Sequence, residues 1–202
     1  MPAVTPWGYV VTATAAGEAV DSLPPIIGID EFASLVPDLS SGPERIGAVL
    51  AKASAVVRDW CGWHVGPALS CEWVGDGAGR QLCLPLMAVR SVGSVEVSGV
   101  ALGPGDYEWR DTGLVRLARG TFPESWRSVS VSCVAGVESD ALAQVVAQLA
   151  TNALTAAPGV AEERTGDVSV SWNRSADGVT GGIRLLGSDR EALAPYRIAR
   201  AW

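Results

Sequence analysis

A chain of 202 residues with 15 basic and 22 acidic side chains carries a formal charge of -7, and 48% of it is hydrophobic. That balance, with a pI near 4.7 and Lys52 as the single lysine, excludes a protein that holds nucleic acid by neutralising phosphates, which takes clustered Lys and Arg. No run approaches the roughly 18 apolar residues of a membrane span, and the first residues lack both a positively charged start and a long apolar core, so neither a spanning nor a secretory segment is expected.

Residues 1–25 mix Ala, Thr, Gly and Pro without a sustained period and end in Leu23-Pro24-Pro25, which reads as an extended arm or a disordered leader. Asp30 stands where an N-cap is wanted for a short helix through Val36, stopped by Pro37. Ser40-Ser41-Gly42-Pro43 then supplies a cap and an early-turn proline for a second helix. Its stripe of Ile46, Val49, Leu50, Ala53, Val56, Val57 and Trp60 recurs at helical spacing. Cys61-Gly62 ends it, glycine being free to take a left-handed conformation. His64, the only histidine, follows Cys61 by three residues; a continuous helix would put the two on one face as a Cys/His nucleophile, but Gly62 points to a helix-end or loop histidine.

From about 69 to 135 the period falls to two. Leu82 and Leu84, Val95 and Val97, Tyr107 and Trp109, Val115 and Leu117, and Val129, Val131 and Cys133 mark half-buried antiparallel strands, with Ser128, Ser130 and Ser132 on the opposite face. Asp111-Thr112-Gly113 is a hairpin turn. Gly75-Asp76-Gly77-Ala78-Gly79 reads as a mobile loop that projects from the fold; it lacks a Walker lysine and leads into a strand, so it is no phosphate cradle. Asp106 and Glu108 share a strand face, which charged residues take on the solvent side of a sheet.

A third helix spans about Asp140 to Ala156, with Leu142, Val145, Val146, Leu149 and Ala153 on one face, and Pro158-Gly159 ends it. Glu162-Glu163-Arg164 starts a solvated strand, 167–172 alternates again, and the glycine-bearing 173–182 is soft. Ser188-Asp189-Arg190-Glu191 caps a short helix toward Leu193, followed by Pro195-Tyr196-Arg197 and Trp202. The four cysteines form no CxxC pair, which excludes a zinc knuckle; Cys133 falls on the apolar side of an alternating run as a small buried hydrophobe, and reduced thiols and an intracellular setting follow. No HExxH, GxSxG or Asp-rich metal loop is present. Trp7, Trp73, Trp126, Trp172 and Trp202 do not share one core stripe, and tryptophan favours interfaces. Exposed tryptophans would also suit a non-catalytic β module that binds carbohydrate or peptide.

The expected architecture is α+β, with helices packed on a small antiparallel β domain: an N-terminal extension at 1–25, a helix and β-domain core at 26–160, and a C-terminal strand and arm at 161–202. After the glycine-bearing stretch the last segment concentrates Leu193, Tyr196, Arg197, Arg200 and Trp202, the apolar, aromatic and Arg groups from which interface cores are made.

The order Asp30-Glu31-Phe32, then Ala53-Ser54 and Trp60-Cys61-Gly62-Trp63, Leu84-Pro85-Leu86, Val89-Arg90-Ser91-Val92, Val95-Glu96-Val97-Ser98-Gly99-Val100, Asp106-Tyr107-Glu108-Trp109, Gly113-Leu114-Val115-Arg116-Leu117, Val129-Ser130-Val131-Ser132-Cys133-Val134-Ala135-Gly136, Glu163-Arg164-Thr165-Gly166-Asp167-Val168 and Leu193-Ala194-Pro195-Tyr196-Arg197 resembles the head-to-tail connector, or adaptor, proteins of long-tailed bacteriophages and related gene-transfer particles. The resemblance covers about residues 28 to 200 and departs from the family at Cys133, where an aromatic or aliphatic residue is usual, and at the N-terminal extension. It implies a structural virion protein of the particle neck, assembled in the host cytoplasm as a twelve-subunit ring, without catalytic residues, cofactor or metal. The implied partners are the portal protein above and a stopper or terminator protein on the tail side. Genomic DNA would pass through without specific binding, and no membrane is involved. In that setting residues 183–202 would be the arm that docks on the portal.

Overall fold

The computed structural model describes residues 2–37, 41–155, 162–165, 168–171 and 183–198. Ser40, the stretch 172–182, Arg200 and Trp202 therefore lie outside the described residues. The fold is α+β, as the change of period from 3.6 to 2 and back requires. Two compact units interleave along the sequence: a strand-rich one built from Met1–Pro24, Arg58–Glu138 and Pro195–Trp202, and a helical one built from Pro25–Val57 and Ser139–Ala194. Among the described residues no helix is long and apolar enough to cross a membrane.

In the strand-rich unit, β1 (Ala3–Val4), β2 (Tyr9–Thr14), β3 (Leu69–Gly75), β4 (Gln81–Cys83), β5 (Val89–Val97), β6 (Val100–Ala101), β7 (Tyr107–Trp109), β8 (Leu114–Leu117) and β9 (Val129–Ala135) form two antiparallel sheets. The larger has the order β1-β2-β3-β9-β5-β6 and the smaller β4-β8-β7. Strand β9 is central because its alternation is the cleanest: Val129, Val131, Cys133 and Ala135 are buried, while Ser130 and Ser132 turn to the half-covered face. Each fully buried valine is worth about 1.5–3 kcal/mol, and a one-residue slip would exchange valines for serines. Cys71 and Cys133 stand directly opposite in register, both buried and free.

Residues 1–25 differ from the expected leader. Tyr9 and Val11 are enclosed, 2% and 0% exposed, because β2 pairs with β3 from Tyr9↔Trp73 to Thr14↔Leu69. Asp111-Thr112-Gly113 makes the expected turn between β7 and β8, with Gly113 at φ +83° and its N–H donating to the Arg110 carbonyl.

Gly75–Gly79 is not the projecting loop its glycines suggest. Asp76 accepts a hydrogen bond from the Arg127 N–H at 2.7 Å, the Phe122 N–H donates to the Gly79 carbonyl, and Gly77 is buried. A Cβ on Gly77 would stand 2.6 Å from the Pro123 carbonyl oxygen and 2.9 Å from the Phe122 Cβ. Gly77 is there to let two backbones approach. Gly77→Ala should therefore destabilise the protein by about 1–3 kcal/mol in urea titration; an unchanged midpoint would show that the loop yields freely.

The helical unit holds α1 (Ile29–Leu35), the first turns of α2 (Pro43–Cys61), α3 (Asp140–Thr155), the hairpin β10 (Glu162–Thr165) and β11 (Val168–Ser171), and α4 (Gly187–Leu193). Gly28, not Asp30, is the N-cap of α1; Asp30 sits in the first turn, where its charge still favours the helix N-terminus. Pro43 opens α2, its missing N–H costing nothing at the first helical position. The predicted stripe buries Ile46, Leu50, Ala53 and Val57, and Ser54 is enclosed beside them. The Ser54 hydroxyl donates to the Leu50 carbonyl and accepts from the Ile26 N–H at 2.9 Å, tying the approach to α1 onto α2. On α3, Leu142, Val145, Val146 and Leu149 are buried as predicted, while Ala153 lies at the margin. Leu186 is the N-cap of α4, and its N–H donates to the Asp189 carboxylate at 2.8 Å, so Asp189 and not Ser188 supplies the capping side chain.

Candidate interaction surfaces

Among the described residues the densest polar cluster is internal. Gly62, at φ +82°, ends α2 and turns the chain so that His64 leaves the face that Cys61 occupies. The His64 backbone N–H donates to the Tyr9 hydroxyl at 3.0 Å, and that hydroxyl donates in turn to Nδ1 at 2.8 Å. Nε2–H donates to the Ala135 carbonyl at 2.9 Å, so the ring is a neutral imidazole with both nitrogens satisfied. Burial holds its pKa down at about 4, and the nearby Arg58 cation acts the same way against the Ala135 bond. Burial likewise pushes the Tyr9 hydroxyl above its ordinary range.

Arg58, 4% exposed, has no carboxylate partner among the described residues. Its Nε donates to the His64 carbonyl at 2.8 Å and its Nη2 to the carbonyls of Pro24 and Gly66, both at 2.6 Å. Burial lowers its pKa to about 10, which leaves the guanidinium charged at neutral pH. These groups are all engaged with one another or with backbone carbonyls inside the fold. Cys61 is enclosed, its thiol pushed up to about 12 by burial, and the Cys/His nucleophile is thereby ruled out.

The C-terminal candidates divide. Leu193 is fully enclosed in the helical unit. Tyr196 and Arg197, by contrast, lie over the end of α2. The Tyr196 carbonyl accepts from the buried Trp63 indole N–H at 2.7 Å, the Ile198 N–H donates to the Cys61 carbonyl at 2.9 Å, and the Arg197 guanidinium stands 5.1 Å from the Trp60 ring centre. Such a cation–π contact is worth about 0.5–1 kcal/mol at an exposed site.

Of the six described tryptophans, Trp63 is buried, Trp7 stacks on Tyr9, Trp73 covers Gly75, Trp60 lies under Arg197 and Trp109 is exposed on β7. Trp126 is 91% exposed. It is held out on the turn before β9, where Arg127 takes φ +50° and donates its N–H to Asp76, and where the Ser128 hydroxyl donates to the Ser125 carbonyl at 2.8 Å. Asp106 accepts the Gly103 N–H, and Glu108 pairs with Arg116 across β7 and β8 on the exposed face, as expected for surface charges.

No protein-family model and no curated protein matches the chain. Solved structures do. The chain is similar to one from the neck of a native gene transfer agent particle computed with C12 symmetry, at a TM-score of 0.58 and 13% identity over 91% of this chain and 95% of that one. It is similar to a chain of the neck of the empty particle computed with C6 symmetry, at 0.56 and 15% over 91% and 95%. A third similar chain comes from the virion of the native particle, at 0.55 and 15% over 88% and 92%. The likeness is one of fold along nearly the whole of each chain.

Proposed function

We propose that this chain is a structural protein of the neck of a tailed-phage-like particle, a head-to-tail connector that closes into a ring between portal and tail and lets DNA pass. The observation that carries this is the extent of the likeness: a fold shared with neck chains over 91% of this chain leaves little of it for any other task. The C12 and C6 symmetries of those necks support a closed ring, here of twelve copies. The charge of -7 suits a channel that must not retain the duplex. Only one histidine is present, and it is locked inside the fold.

Two surfaces suit docking. Tyr196 and Arg197, over the end of α2, form the portal-side candidate; Leu193, Arg200 and Trp202 are proposed with them on composition alone. Trp126, presented on a turn whose backbone is held by hydrogen bonds, is the second, because that backbone needs no ordering on docking. Trp126→Ala should leave stability within about 0.5 kcal/mol, as an exposed substitution does, yet weaken incorporation into particles about 30-fold, the effect of losing an anchor worth about 2 kcal/mol. Equal incorporation of the variant would remove Trp126 from the interface. For the function as a whole, particles assembled without this chain should be heads that fail to join tails, and adding it back should restore joining. Heads that join tails without it would refute the connector reading.

A further inference from the structure

The larger sheet ends in two open edges, β1 and β6, at opposite sides. In the β1–β2 pair, the Thr5 N–H donates to the Tyr9 carbonyl, which makes Thr5↔Tyr9 a hydrogen-bonded pair and Val4↔Val10 the non-bonded one. The N–H and C=O of Val4 therefore point away from the sheet. At the other edge, the Leu102 N–H donates to the Val95 carbonyl, so Glu96↔Ala101 is the non-bonded pair and the N–H and C=O of Ala101 point outward. Ser98 and Gly99, at φ +51° and +78°, fix this hairpin with a tight turn of the kind whose twist matches the strands.

Because the sheet has six strands, each antiparallel to the next, β1 and β6 run in opposite directions. A second copy placed beside the first in the same orientation would meet it antiparallel, with outward-facing amides on both sides. That is the relation between neighbours in a cyclic ring, where one surface must fit a different surface on the next copy. Exposed edges are ordinarily guarded by charges; here 2–6 and 98–105 contain none, and Val4 and Val100 are 81% and 66% exposed.

Resting on the ring proposed above, we infer that neighbouring subunits join by strand addition, β1 of one copy pairing antiparallel with β6 of the next and Val4 standing opposite Ala101. The seam brings Ala3 opposite Leu102 and Thr5 opposite Val100, which covers the exposed valine. With two-residue strands flanked by Pro2 and Pro6, each seam is short and weak alone, so the ring closes cooperatively and the diluted protein is monomeric.

The test uses the full chain with the exposed Cys83 replaced by serine, carrying Val4→Cys and Ala101→Cys together. Paired residues in register lie about 5.5 Å apart at Cα, within disulfide range. Oxidation of rings or assembled necks should give a covalent ladder of multimers of this chain, absent from either single variant. Ala101→Pro supplies the second arm. It removes the outward N–H but spares the bonds to β5, which run through Val100 and Leu102, and should leave the melting temperature unchanged while abolishing rings. Rings that form without the ladder, or crosslinks from either cysteine to a different neck protein, would overturn the seam and leave the ring standing. Failure of the parent chain to form a ring of any size, alone or on particles, would overturn the ring itself.

Discussion

Replacing Arg58 by methionine should cost at least about 4 kcal/mol. One guanidinium binds three carbonyls from separate places: Pro24 at the end of the N-terminal strands, and His64 and Gly66 in the turn after α2. A hydrogen bond to a charged donor contributes about 1.5–3 kcal/mol, and a buried carbonyl left without a partner costs about 1–3 kcal/mol. Methionine fills much of the volume and supplies no donor. Against a total stability of order 5–15 kcal/mol, most of the folded state is at risk. Arg58→Lys should recover only part of the loss, since a single ammonium cannot reproduce the planar fork. Chemical denaturation of the three proteins decides it, and a methionine variant within about 1 kcal/mol of the parent would show that the carbonyls find other donors.

Acidification should be the second large effect. His64 titrates at about 4 in the folded protein against 6.5 when unfolded, with burial the chief cause. Between those values the unfolded chain binds a proton that the folded chain refuses, so stability rises with pH there. The contribution is fully present above pH 6.5 and is lost as pH falls toward 4, by about 3 kcal/mol in all. The loss reflects the geometry: a protonated ring would put a donor at Nδ1 against the Tyr9 hydroxyl, beside the Arg58 cation. His64→Gln should be less stable at pH 7 but lack this part of the slope. If the variant and parent lose the same free energy between pH 6.5 and 4, the histidine is not the source.

The helices were legible because their information is local. Pro43 at the start, an apolar residue every third or fourth place from Ile46 to Val57, and Gly62 at the end define α2 before any partner is known. The serine–valine alternation of 128–133 did the same for β9. Strands β1 and β2 were not legible. Tyr9-Val10-Val11 is too short an apolar run to announce a strand, and whether it becomes one depends on β3, some sixty residues away. Glycines misled at Gly75–Gly79 for a related reason. A glycine marks either freedom or close approach, and only the presence of Pro123 and Phe122 over Gly77 says which.

The C-terminal candidates show the same division. Aromatic and basic composition marked Tyr196 and Arg197, and the structure lays them on Trp63 and Trp60; Leu193, marked by the same composition, is enclosed. Trp126 was one tryptophan among eight in the sequence, and its exposure follows from a hydrogen bond between Asp76 and Arg127 that no spacing records.

By itself the sequence determined the α+β class, the main helices, the central strands and the acidic character, since periodicity, turn chemistry and charge act within a few residues of chain. Tertiary structure alone decided that His64 and Arg58 are buried clamps, that the N-terminus completes the sheet, and that Val4 and Ala101 face outward at opposite edges. Each of these depends on which distant backbone groups are already satisfied, and a hydrogen-bond partner is found across space, not along the chain.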